Sequence, residues 1–544
     1  MKKLFLPLIL ALLQLGAANT VSAQDFPFEE GVKVRDVITV PESLTGKGVL
    51  VGVLDGSFAY SHINFFDPKT NQTRIRAAFP LGIGGHKKVD NPEEIMQINP
   101  DSKGRHGTHT AGIAAGSYAA EGWQGVAPEA NLCLVDISSG GSERAQLSGL
   151  KSVFAVADSL GLPLVVNMSV GEGAPHHGYT DMNLLCEELT DNGNRPGRII
   201  VVSSGNKGSG LSYQECQLGA DGKARLPLYA FEGTNLMCQF VTSKEDDPLT
   251  VRFFFYDKAA KTEVTDGGIT DMDGNPVGID ELNEYMTSYV KDNCPYRFYE
   301  LIYPEDLFYS NQDIMPGIEL SGAEGTKLSY IYHLETEEED DYFTATQKVY
   351  GYNNTLSSTP AVISVGRLDT HGAVTVGLTS SYGRNKYGDK IPDVLAPGTG
   401  IISSGERSET QCNTSRDITM PDGSTKTFSW MTFSGTSQAT PVVTGLIALM
   451  LQHDPTLTAN RVRELLHSTN DWTEACDNAP LGPDQAGHGI LNTKALFEAL
   501  MGPSAIESVP SGAADNALYD LFGRRLSNAP QKGIFIRNNK KNAR

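Results

Sequence analysis

Apolar residues in this chain fall into short unbroken runs separated by longer stretches of helical periodicity, over two separate regions. From Gly46 to about Gly208 the runs are Val49–Leu54, Pro163–Met168 and Ile199–Ser203, with a helical stretch at Gln146–Leu160. A strand that is apolar at successive positions is buried on both faces, and helices between such strands indicate a parallel sheet. The pattern resumes at Ala361–Gly366 and continues to about Met501. There Val442–Leu451 reads as a buried helix, and Ala459–Leu466 as a second one. The expected fold class is therefore α/β, a parallel sheet with helices on both faces.

Between these regions, across 210–352, the texture changes. Tyr, Phe and Thr become frequent and helical periodicity fades. Phe240–Ser243, Val251–Asp257 and Lys327–Tyr332 read as strands, with one helix expected around Glu281–Lys291. So long a stretch is not a structureless loop, and a β-rich, sandwich-like insert is expected. Asp271-Met-Asp-Gly-Asn275 begins like a calcium loop. Pro276 stands where such a loop needs its Gly and no matching Glu follows, so an Asp-Gly turn is the expected reading. The acidic residues Glu335 and Glu337–Asp341 are expected to form a solvated loop tip.

The ends differ again. Lys2-Lys3, the apolar Leu4–Gly16 and Val21-Ser-Ala23 form a signal-peptide pattern over 1–23, too short and too interrupted for a membrane span. A short extension, 24–45, follows. The two halves of the α/β unit are expected at 46–209 and 353–503, and a linker with a short β tail at 504–544.

Composition narrows the class. At 544 residues two or three units are expected. A net charge of -21 argues against nucleic acid and anionic membrane surfaces as partners. Of the 7 cysteines, Cys133 lies in an apolar run and reads as a buried small hydrophobe. Cys216, Cys238 and Cys294 fall in one region that could contain a disulfide, the pair being open. The odd number leaves at least one thiol unpaired.

Three segments carry candidate chemistry. Ser437 follows a small-residue approach and opens an apolar helix, whose N-terminal N–H groups suit an oxyanion, although a simple N-cap serine looks the same. Asp55 ends an apolar strand. His106 opens a small-residue segment. A hydroxyl nucleophile needs a neutral imidazole, and the imidazole needs a carboxylate to orient it.

Asp55, His106-Gly-Thr-His-Thr-Ala-Gly112 and Gly435-Thr-Ser437-x-Ala-Thr-Pro441 resemble the motifs of subtilisin-like serine peptidases, in the same chain order. Val201-Val-Ser-Ser-Gly-Asn206 and Asn167-Met-Ser-Val-Gly171 are similar to two further blocks of that family. The lesser matches are Gly125–Pro128, Pro392–Gly398 and Gly487–Asn492. The resemblance implies a secreted endopeptidase acting through an acyl-enzyme. Ser437 would attack, His106 would act as base and then acid, and Asp55 would orient His106. Asn206 and the Ser437 N–H would bind the oxyanion. Ser169, Val170 and Gly171 would pair with extended substrate, and Lys207 would lie at the S1 pocket. His109 is expected to turn away from His106 and serve structure.

The resemblance implies protein or peptide substrates and no cofactor for the chemistry; structural calcium is open and unlocated, and no metal ligands are assigned. The segments Ala517–Arg525 and Lys532–Arg537 resemble the C-terminal sorting tails of Bacteroidetes secreted proteins, which implies an export machinery as reader and a secreted or cell-surface location. Three departures stand out. The family's Asp-Ser/Thr-Gly is here Asp55-Gly56-Ser57. Gln438 replaces a common Met. Residues 24–45 leave no room for a folded pro-domain. The rival reading is a catalytically silent scaffold that binds or adheres through its insert.

Overall fold

Leu50–Asp55 is buried at every position because it runs through the middle of an eight-stranded sheet. In this computed structural model the described residues are 31–502, apart from 83–84, 99–105, 138–142, 172–177, 210, 228–237, 266, 272, 292–293, 303–306, 310–312, 334–347, 352–354, 406–413 and 421–422. Four short strands between 518 and 543 are also described. The signal-peptide pattern, the acidic run from Glu335 to Asp341 and the Ser508–Asn516 linker lie outside them.

The sheet order is Ile75–Phe79, Asn131–Asp136, Leu50–Asp55, Leu164–Met168, Arg198–Ser203 and Ile363–Asp369, all parallel. Val394–Pro397 adds in parallel to Ile363–Asp369, and Thr375–Val376 adds antiparallel. Side chains alternate between two cores, as the period of two requires. Val51, Val53, Val165 and Val201 face the helices His106–Ala115 and Thr436–His453. Leu50, Leu54, Val166 and Val202 face Glu143–Leu160 and Asp181–Thr190. Each fully buried aliphatic side chain contributes about 1.5–3 kcal/mol. Both site helices lie on the first face, which sets His106 and Ser437 on one side of the sheet.

The β-rich insert leaves the sheet after Arg198–Ser203 and returns before Ile363–Asp369. It contains a six-stranded and a four-stranded sheet, both antiparallel. Their inner faces share one core that includes Cys216, Val241, Phe253, Phe255, Ile318 and Leu328. The helix expected around Glu281–Lys291 is shorter and earlier, Ile279–Asn283, and Met286–Val290 is a strand. Pairing with Tyr296–Ile302 overrides the local helical tendency there. Cys216 and Cys294 are free and buried, so no disulfide forms within the set of Cys216, Cys238 and Cys294. Cys133 is buried and free, and burial pushes its thiol up to about 12. The four C-terminal strands pair antiparallel with one another.

Candidate active site

Asp55 sits at the carboxyl end of its strand, 1% exposed. Its Oδ1 accepts from the Gly56 N–H at 2.7 Å and from His106 Nδ1 at 2.6 Å. Its Oδ2 accepts from the Thr110 hydroxyl at 2.8 Å. Because the carboxylate oxygen is the acceptor, the proton of His106 lies on Nδ1 and the lone pair on Nε2. Thr110 stands one helical turn beyond His106, which brings both side chains to the same carboxylate.

The helix that carries His106 is held close to the strand Ile401–Gly405. The Ser403 and Ser404 hydroxyls donate to the carbonyls of His109 and Thr108 at 2.8 and 2.9 Å. A Cβ on Gly112 would collide with both hydroxyls, so only glycine permits this approach. The His106 side chain keeps 41% of its surface exposed. Desolvation lowers its basicity, but the Asp55 charge and hydrogen bond outweigh it and hold the imidazole above its ordinary value.

His109 does not turn away from His106. Both rings contact Phe433, His106 at 6.4 Å and His109 at 4.6 Å between centroids. Residues three apart on a helix share a face, so the expectation was wrong in its geometry. His109 is fully buried, with Nε2 at 3.1 Å from the carbonyls of Ile401 and Met431. Burial drives its basicity down to about 3, so it stays neutral as a packing element.

Ser437 is the second residue of the helix Thr436–His453, after Gly435 at the N-cap. Its hydroxyl donates to the Ser169 carbonyl at 3.2 Å, and the Ser169 hydroxyl donates back to the Ser437 carbonyl at 2.8 Å. Asn167 Nδ2 donates to the Ser169 hydroxyl at 3.0 Å, and Thr444 donates to Asn167 Oδ1 at 3.0 Å. Among the described residues, no hydrogen bond joins Ser437 to His106.

Asn206 follows the strand Arg198–Ser203 and meets the same helix N-terminus. Its Oδ1 accepts from the Thr436 N–H at 2.9 Å and the Thr436 hydroxyl at 3.2 Å. Donors on both contacts fix the amide orientation. Among the described residues, neither Asn206 Nδ2 nor the Ser437 N–H has a hydrogen-bond partner. These are two uncommitted donors beside one hydroxyl.

Ser169, Val170 and Gly171 extend beyond the strand Leu164–Met168. The Ser203 hydroxyl donates to the Val170 carbonyl at 3.3 Å, and a Cβ on Gly171 would meet nothing within 4 Å. Lys207 is half-buried, and its N–H donates to the Ser381 hydroxyl at 2.9 Å. Gln438 is 2% exposed, and its Nε2 has no hydrogen-bond partner.

Sequence reasoning missed Thr110 and Phe433. Thr110 was findable, since a hydroxyl four residues after the histidine shares its helical face. Phe433 had no such signal, because its contact with His106 arises from the pairing of Ile401 with Phe433.

No group of three or more His, Cys, Asp or Glu side chains suited to a metal occurs among the described residues. At Asp271 the Oδ1 accepts from the N–H groups of Asp273 and Asn275, and Oδ2 from Asn275 Nδ2, all at 2.8–2.9 Å. These bonds close the turn around the Asp271 side chain.

A parallel sheet with a serine at a helix N-terminus, a histidine–aspartate pair and a facing asparagine amide describes a class of hydrolase scaffolds. The family model described as the subtilase family matches residues 46–229 and 340–495, and the chain belongs to that family. Residues 230–339, most of the insert, lie outside the match. The chain is 37% identical over 139 residues to serine protease AprX of Bacillus subtilis, covering 24% of this chain and 29% of that protein. It is 24% identical over 553 residues to C5a peptidase of Streptococcus pyogenes, covering 88% of this chain and 42% of that protein. The chain thus spans less than half the length of these curated relatives. The CspB protease of Clostridium perfringens shares the fold, with a TM-score of 0.61 and 21% identity over 86% of this chain and 97% of that one.

Proposed function

We propose that this protein is a serine endopeptidase that cleaves peptide bonds through an acyl-enzyme on Ser437. The observation that carries the reading is the Asp55–His106 hydrogen bond at 2.6 Å on the same side of the sheet as Ser437, whose helix N-terminus is met by the Asn206 amide. Ser437 attacks the scissile carbonyl. His106 Nε2 takes its proton and passes it to the leaving amine, while Asp55 holds the tautomer and stabilises the imidazolium. Asn206 Nδ2 and the Ser437 N–H stabilise the oxyanion; in subtilisin itself, removing the asparagine donor costs about 2.7–4 kcal/mol.

Extended substrate pairs with Ser169, Val170 and Gly171 by backbone hydrogen bonds. Lys207 faces the P1 side chain, disfavours basic residues and accepts acidic or neutral ones. A peptide library with strong Arg or Lys preference at P1 would refute that assignment. The charged and apolar N-terminal pattern supports export, and the C-terminal strands support recognition by an export machinery. No described helix is long and apolar enough to cross a membrane.

The deciding experiment is Ser437→Ala. Peptide hydrolysis should fall by several orders of magnitude with the melting temperature retained. Labelling by a serine-reactive phosphonate should vanish with it. Equal hydrolysis by variant and parent would remove Ser437 from the chemistry, and absence of both hydrolysis and labelling in the parent would favour the silent scaffold.

A further inference from the structure

Gln485 lies in a short helical turn, Pro483–Ala486, far in sequence from Asp55, His106, Asn206 and Ser437, yet it is fully buried. Its Nε2 donates to the carbonyls of Gly377 and Leu378 at 3.1 Å and of Ser380 at 3.0 Å. Its Oε1 accepts from the Leu481 N–H at 3.1 Å. Two amide hydrogens shared among three carbonyls leave no alternative orientation, because a flipped amide would set its oxygen against three other oxygens. The side chain therefore gathers the 377–380 loop around one point.

That loop is the seat of the Asn206 segment. The Ser381 N–H donates to the Gly205 carbonyl at 2.9 Å, and the Gly208 N–H donates to the Thr379 carbonyl at 3.0 Å. The Ser381 hydroxyl accepts from the Lys207 N–H at 2.9 Å. Asn206 is thus gripped on both sides by residues 379–381. Gly205 and Gly208 make the close approach possible. Gly205 has φ 107°, in the region that favours glycine. A Cβ on Gly208 would collide with the Ser380 carbonyl. The other end of Asn206, its Oδ1, rests on Thr436, the residue before the nucleophile. Gln485, the 377–381 loop, Asn206 and Thr436 form one continuous hydrogen-bonded path to the oxyanion side of the cleft.

We propose that Gln485 is a positioning residue for the oxyanion donor, acting through the 377–381 loop to set where Asn206 Nδ2 stands relative to Ser437. The proposal rests on the peptidase reading above. A donor that must meet charge developing in the transition state loses most of its effect when displaced by a fraction of a hydrogen-bond length. Loosening the loop therefore raises the barrier without weakening ground-state binding.

The test is a double-mutant cycle on a small peptide substrate, with kcat, KM and melting temperature measured for each protein. Gln485→Ala should lower kcat by about tenfold and leave KM within about twofold. In an Asn206→Ala background the same substitution should change kcat by less than about twofold, since the donor it positions is gone. Ser381→Ala, which removes only the acceptor for the Lys207 N–H, gives a second cycle should Gln485→Ala fail to fold; the same non-additivity is expected. A normal kcat at a lowered melting temperature would make Gln485 purely structural and overturn the proposal. So would a loss in KM alone, or an equal kcat penalty in both backgrounds. If Asn206→Ala itself leaves kcat unchanged, the oxyanion assignment falls, and the positioning role falls with it. If Asn206→Ala is impaired and Gln485→Ala is not, only the positioning role is lost.

Discussion

Ser169 and Ser437 hold each other through two reciprocal hydrogen bonds, each hydroxyl donating to the other's backbone carbonyl. The arrangement fixes the backbone at Ser437 and directs its hydroxyl to the Ser169 carbonyl. The acceptor, the Ser169 carbonyl, belongs to the segment proposed to pair with substrate. On that proposal, a substrate N–H arriving at the carbonyl would compete with the Ser437 hydroxyl and free it to rotate. A peptidyl phosphonate whose P1 amide is N-methylated should therefore label Ser437 about tenfold more slowly than its parent, the loss of one hydrogen bond. Equal labelling rates would show that the resting contact has no bearing on reactivity.

The His106–Asp55 contact sets the pH dependence. His106 is held above its ordinary value of 6.5, so half the free enzyme is still imidazolium at a pH above that point. The acid limb of kcat/KM should be centred above pH 6.5. Stability runs the opposite way. A group with a raised folded value stabilises fully below its unfolded value, and the contribution is lost as pH rises through the folded one. Asp55→Asn should remove both trends and cut kcat by several orders of magnitude. A limb centred below 6.5 in the parent would contradict the electrostatic account.

Inverting the family's usual order after Asp55 has a visible cost. Ser57 adopts φ 57°, in the left-handed region, where a side chain costs about 1–2 kcal/mol. Its N–H donates to Asp136 Oδ1 at 3.2 Å, which holds the turn in place. Ser57→Gly should raise stability by up to about 1 kcal/mol, once the greater chain entropy of glycine is subtracted. Denaturant midpoints measure it, and a lower midpoint in the variant would show that the serine side chain outweighs the strain.

Gln438 sits directly after Ser437 with a buried, unpartnered amide nitrogen. An unmet buried donor costs about 1–3 kcal/mol. Gln438→Met keeps the length and removes the donor, so the melting temperature should rise. The same variant should become sensitive to peroxide through the new thioether, while the parent is not inactivated at that site. A fall in melting temperature, with peroxide resistance kept, would count against both arguments.

Much of the scaffold was legible because burial on both faces leaves a plain trace. Leu50–Asp55, Leu164–Met168 and Arg198–Ser203 fall within a residue or two of the apolar runs that announced them. The helix around Glu281–Lys291 was misread because acidic and polar residues there fit a helix locally, and only pairing with Tyr296–Ile302 makes Met286–Val290 a strand. Whether the insert contained a disulfide was left open by the sequence for a similar reason. Three cysteines near one another in sequence say nothing of how their Cβ vectors point, and Cys216 and Cys294 remain free.

At the site, the sequence by itself determined the chemical types. It supplied a strand-end carboxylate at Asp55, a helix-opening imidazole at His106, a hydroxyl at a helix start at Ser437 and an amide at Asn206. Motifs preserve these because each is a local event at the end of one element. Tertiary structure alone decided what they do to one another. It brought Phe433 against both histidines, turned the Ser437 hydroxyl to Ser169 and tied Asn206 to Thr436. It also gathered the 377–380 carbonyls around Gln485. Those contacts join residues far apart in the chain. Hydrogen-bond direction and ring distance depend on how the sheet and helices pack, a property no local pattern of residues encodes.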